Sequence, residues 1–141
     1  MNKQEMVKEM NQMHVQHANS LSKLSKMLDS SGENGVLLWL RENGDEVFAV
    51  DIIEHFGLTP GRVANIVKKL EERGYIERHQ NFQDMRKVHI TLTESGRSHA
   101  EDLYNQLGTK HMQIVDALGE EDAEQIIRIM NKVISILENQ N

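Results

Sequence analysis

The stretch LTPGRVANIVKKLEERGYIER, Leu58 to Arg78, limits what this chain can fold into more than any other feature. Thr59 suits a helix N-cap, Pro60 takes the first helical position, where its missing N–H costs nothing, and Gly74 ends the run. Between these limits Val63, Ile66, Val67 and Leu70 recur at i, i+3, i+4 and i+7, one apolar stripe of a helix. Gly61, Arg62, Asn65, Lys68 and Lys69 fall on the other faces. Such a helix must lay its apolar back on a core and leave a polar, basic front for something else.

The neighbouring segments predict the scaffold. Val36 to Leu40, with Trp39, reads as a short helix running to the Glu42–Asp45 turn, and Val47 and Phe48 as a brief strand. Ile52, Ile53 and Phe56 mark a helix of about two turns closed by Gly57. A helix, a three-residue turn and the capped basic helix make a helix-turn-helix, whose second helix enters the major groove N-terminus first. Tyr75 to His79 and Lys87 to Leu92 read as two strands around a polar loop, Gln80 to Arg86, and Thr93 caps a further helix with Glu94 in its first turn. The predicted class is mainly α with a small β wing, a winged helix-turn-helix over about 33–96.

Charge distribution agrees with that placement. The net charge is −6, which alone disfavours a polyanionic partner. Yet Pro60 to Ile90 holds seven basic residues (Arg62, Lys68, Lys69, Arg73, Arg78, Arg86, Lys87) against four acidic ones, a local +3, so the rest carries −9. One surface attracts an anion while the remainder repels it. An Arg fork matches guanine O6 and N7 and an Asn amide matches adenine N6 and N7, so Arg62 and Asn65 are the candidate base readers, with Gly61 beside them. Thr59, Lys68 and Lys69 suit phosphates, and Asp84, Arg86 and Lys87, at the tip and root of a wing placed to carry charge to the DNA backbone or minor groove, complete the candidate DNA-binding set. Taken singly, each is also what a solvated helix face carries; their joint position makes the case.

LTPGRVANIVKKLEERGYIER followed by DMRKVHITLTESG resembles the recognition helix and wing of the MarR family of bacterial regulators, from about Val47 to Gly96. The family's wing pattern is met by Asp84, Arg86, Leu92, Thr93 and Gly96, while Ile53 stands where many relatives carry a small residue. The resemblance implies a triangular homodimer with intertwined N- and C-terminal helices, Arg86 reaching the minor groove from the wing tip, and Asp84 bracing the wing. It also implies a transcription regulator, a repressor that blocks a promoter by binding a palindromic double-stranded operator.

The flanking segments fit dimerisation on their own pattern. Met6, Met10, Met13, His17, Leu21, Leu24 and Leu28 lie on one face of a long N-terminal helix. Leu103, Leu107, His111, Ile114 and Leu118 form a second stripe, and Ala123, Ile126, Met130, Val133 and Leu137 a third. Residues of about 2–28 and 97–139 are therefore the expected dimerisation helices of one 141-residue domain, a monomeric bundle being the alternative. Gly108 makes a bend in the second stripe unsurprising.

Two effectors fit the same region, and no cofactor is required. His14, His17 and His111 are candidate zinc ligands, as imidazoles serve in some relatives of the MarR type. Met10 and Met13, with these histidines, are instead candidates to line a pocket for a small apolar or aromatic molecule. A histidine satisfied by a protein partner and a methionine in a core are the commoner findings for both. His79 and His89, on the wing strands, are expected near phosphate or solvent.

Several classes drop out. Without cysteine there is no disulfide, thiolate zinc site or thiol nucleophile, and no phosphate-binding Gly loop or paired carboxylate with a base points to an enzyme. No apolar run approaches the roughly eighteen residues of a membrane span, and a polar N-terminus predicts a cytoplasmic address. A winged helix serving as a protein interaction module, without specific DNA binding, is the alternative; it calls for an acidic or apolar front, against Arg62, Lys68, Lys69 and Arg86.

Overall fold

The computed structural model describes residues 1–44, 46–80, 83–84 and 87–140. In chain order its elements are α1 (Lys3–Gln16), α2 (Ala18–Leu28), α3 (Glu33–Asn43), β1 (Val47–Phe48), α4 (Ala49–Phe56), α5 (Pro60–Glu72), β2 (Ile76–Gln80), β3 (Val88–Leu92), α6 (Glu94–Leu118) and α7 (Glu120–Glu138). They divide into two compact units, Met1–Arg97 and Ser98–Asn141.

The first unit is built around α5. Val63, Ile66, Val67 and Leu70 are buried, as the stripe predicts, and α5 touches α3, α4 and β2. Facing them in the core are Val36, Leu37 and Leu40 of α3, Ile52 of α4, and Val47, Ile76, Ile90 and Leu92 of the sheet. Each such side chain withdrawn from water contributes about 1.5–3 kcal/mol against the entropy of ordering the chain. The sheet is antiparallel in the order β1-β3-β2, with Val47 opposite Ile90 and Ile76 opposite Leu92. Alternation along the strands sends Ile76, Ile90 and Leu92 inward and leaves Glu77, His79, His89 and Thr91 on the outer face.

The termini of α4 and α5 are fixed by local hydrogen bonds. Phe48 N–H donates to Asp51 Oδ2 at 2.8 Å, starting α4, and Gly57, left-handed at φ 62°, ends it by donating to Ile53 O. Thr59 caps α5, its hydroxyl oxygen accepting from Arg62 N–H at 3.2 Å. At the other end Gly74, with φ 77°, donates to Glu71 O while Tyr75 donates to Leu70 O, the paired bonds of a Schellman close. The chain then turns directly into β2.

The expected single N-terminal helix is two. The stripe from Met6 to Leu28 is interrupted at His17, whose backbone (φ −120°, ψ 34°) leaves the helix between α1 and α2. The junction Gln16-His17-Ala18-Asn19-Ser20 is rich in His, Asn and Ser, which favour helix interiors weakly. Neither helix has a buried residue to hold it straight.

The second unit holds the body of α6 and α7. Gly108 does not interrupt α6. Gly119, at φ 85°, turns the chain, and Glu120, Glu121 and Asp122 complement the N-terminal dipole of α7. Among the described residues no helix is long and apolar enough to cross a membrane.

Candidate nucleic-acid interface

The side of α5 opposite the core carries Gly61, Arg62, Ala64, Asn65, Lys68 and Lys69, all exposed. Among the described residues, the side chains of Arg62, Asn65, Lys68 and Lys69 form no hydrogen bond or ion pair. Other cations of the same unit do. Arg73 pairs with Glu33 at 3.2 Å, Arg78 with Glu71 at 3.1 Å, and Arg41 with Glu42. Arg73 and Arg78 therefore add little to the outward field, whereas Arg62, Lys68 and Lys69 stand without an ion pair among the described residues on the first three turns of α5.

One carboxylate lies within the field of Arg62. Asp29, at the end of α2, has its carboxyl held below the usual value, first by the Ser31 hydroxyl at 2.6 Å, then by Ser31 N–H at 3.0 Å, and additionally by the Arg62 guanidinium. Partial desolvation opposes these. Sequence periodicity does not reveal this relation, because the two residues belong to different elements.

Thr59 keeps its hydroxyl exposed at the tip of α5, where its O–H remains a donor while its oxygen caps the helix. In the wing Asp84 is half-buried, its carbonyl accepting from the N–H of the exposed Lys87 at 3.0 Å. Arg86, the wing-tip candidate, lies outside the described residues. The wing histidines engage each other: His79 and His89 face across the hairpin with ring centroids 4.9 Å apart and planes 22° apart. His79 Nε2 lies 2.9 Å from Thr91 Oγ1 and 3.6 Å from Glu77 Oε2.

Sequence reasoning missed Ala64. An alanine gives no polar or periodic signal, yet its place one turn from Gly61 and Lys68 on the helical wheel puts its methyl on the open side.

The effector candidates are spread along exposed helix surface. Met10, Met13 and His14 are on α1, His17 is at its break with α2, and His111 is on α6. Among the described residues no group of three or more His, Asp or Glu side chains is gathered to hold a metal ion. A surface groove of about 540 Å³ follows α2 instead, lined by Leu21, Leu24, Ser25, Leu28 and Asp29.

The model of the family described as "Transcriptional regulator SarA/Rot" matches residues 30–103, more than half of the chain. The chain belongs to the SarA/Rot family of transcriptional regulators. This SarA/Rot chain is 31% identical over 84 residues to the HTH-type transcriptional regulator YcgE of Bacillus subtilis, an alignment covering 60% of this chain and 54% of that one. It thus spans about half the length of the curated relatives it matches. The structure of Streptococcus pneumoniae FabT in complex with DNA is 25% identical, with a TM-score of 0.67, covering 77% of this chain and 76% of that one. A MarR mutant from Escherichia coli, at 18% identity, shares the fold with a TM-score of 0.63, covering 95% and 97% of the two chains. The MarR-type winged helix read from the sequence is the fold observed.

Proposed function

We propose that this protein is a sequence-specific DNA-binding repressor, acting as a homodimer on a palindromic operator and responsive to an effector. The observation that carries the reading is the outward face of α5, where Arg62, Asn65, Lys68 and Lys69 stand exposed, without a side-chain hydrogen bond or ion pair among the described residues, on a helix fixed at both ends. Burying polar groups without partners is costly, and the base edges and phosphates of a major groove supply partners of the matching kind. FabT, of the same fold, is seen with DNA. Homodimerisation is supported by the apolar residues left open on α1, α2 and α7, and by the match between a two-fold protein and a palindromic site.

Anisotropy titration against duplexes chosen from a random pool tests the reading. The expected result is tight binding whose logarithm falls with log salt by about 0.9 per phosphate neutralised, and an Arg62→Ala, Asn65→Ala variant that loses base preference. No preference for any duplex, together with an unchanged profile for that variant, overturns it.

The effector is zinc or a small apolar or aromatic molecule. His14 and His17, at i, i+3 on exposed surface, supply two imidazoles, and a zinc site would draw further ligands from a second copy; Met10 and Met13 supply adaptable apolar surface. Zinc that moves neither operator affinity nor Tm removes the metal from this reading.

A further inference from the structure

Gly61 and Ala64 are the least explained residues of α5. Glycine weakens a helix, and Gly61 has no compensating structural need: its φ is not positive, and a Cβ built on it meets nothing within 4 Å. The space it leaves open lies outside the molecule. Ala64 is exposed although Val63 just before it and Ile66 two residues on both belong to the core.

At about 100° per residue, Gly61, Asn65 and Lys68 fall within about 60° of one another and form the outward meridian of the helix. Arg62 then lies about 90° to one side and Ala64 about 70° to the other. From Gly61 to Asn65 the axis advances about 6 Å, close to two base-pair steps. The first turn therefore presents three chemistries in order across its front: a guanidinium fork, a carboxamide on the centre line and a bare methyl.

We propose that this turn reads three adjacent base pairs, with Asn65 on a central adenine, Arg62 on a guanine to one side and Ala64 on the 5-methyl of a thymine to the other, Gly61 letting the backbone come close enough for all three. The assignment rests on the DNA-binding function proposed above. Each contact follows from the base edges: the fork matches guanine N7 and O6, the amide matches adenine N7 and N6, and an alanine methyl packs on the only methyl in the major groove.

The test uses the full chain, the duplex returned by selection, and base analogues that remove one contact at a time. With 7-deazaguanine in place of the guanine, affinity is expected to fall about tenfold, and Arg62→Ala to be indifferent to the change. Uracil in place of the thymine deletes only the methyl and should weaken binding about two- to fivefold. Ala64→Gly should lose a similar factor and no longer distinguish thymine from uracil. Gly61→Ala separates recognition from folding, because it should raise Tm by a few degrees while lowering operator affinity about tenfold or more.

An Ala64→Gly protein that still distinguishes thymine from uracil, or a Gly61→Ala protein that binds as the wild type does, overturns the assignment while leaving DNA binding intact. Absence of binding to every duplex by the wild-type chain overturns the DNA reading and this one with it.

Discussion

Thr93 ties three segments together with one hydroxyl. It donates to Gly74 O at 2.6 Å and accepts from Gly96 N–H at 2.9 Å, while its own N–H donates to Tyr75 O at 3.0 Å. The end of α5, the start of the wing and the first turn of α6 are thereby held at one point. Thr93→Val keeps the shape but strips Gly74 O and Gly96 N–H of a partner, and should cost about 1–3 kcal/mol in a urea melt. Gly96→Ala should cost more, because the added Cβ would stand 1.9 Å from Tyr75 O, backbone that cannot turn aside. Asp29 offers a residue-scale test of electrostatics. Its carboxyl is held below 3.8, so its contribution to the α2–α3 turn is present above that pH and lost as pH falls through the lower, folded value. Because Arg62 lies in its field, Asp29→Asn should tighten operator binding about twofold in low salt, an effect that vanishes once salt screens the pair.

Elements were legible in proportion to how completely their ends were written. The α5 helix has a cap, a proline, an apolar stripe and a terminal glycine, and all four appear in the structure where the spacing puts them. The wing strands were readable because Val88, Ile90 and Leu92 alternate, although Val88 is only half-buried. The break between α1 and α2 was not readable: it carries no glycine or proline, and the apolar spacing runs straight through His17. Nor does spacing tell which cations are free. Arg73 is neutralised by Glu33, far away in sequence, whereas Lys68 and Lys69 look no different on a wheel and have no such partner. The terminal glycine yields an element-scale prediction. Gly74→Ala forces a Cβ into a left-handed backbone at φ 77° and should cost about 1–2 kcal/mol, read as a lower urea midpoint. The turn from α5 into β2 passes through that residue, so operator affinity should fall as well, whereas a Gly108→Ala change inside α6, where φ is ordinary, should leave affinity alone and raise stability slightly.

Across the whole molecule, apolar surface is distributed unevenly. The winged-helix core is closed, but Ile127 is 61% exposed, Ile136 59% and Leu137 57% on α7, and Met10 64% on α1. Side chains of this size left in water on long helices call for a cover, and in the proposed homodimer a second copy would supply one with the same symmetry as a palindrome. Replacing Ile127 and Ile134 by Glu should convert a dimer to a monomer by light scattering, with the winged-helix core intact because neither residue belongs to it. Operator affinity should then fall at least a hundredfold, since each half-site is bound alone and the effective concentration of the second reading head is lost. The same geometry makes affinity periodic in the DNA. In the proposed dimer two α5 helices fixed by one scaffold would meet successive major grooves on one side of the duplex, so inserting about five base pairs between the half-sites would turn one of them to the opposite side. Affinity for that operator should drop to the level of the monomeric variant, and the Ile127→Glu, Ile134→Glu protein should bind the native and the inserted operators equally well.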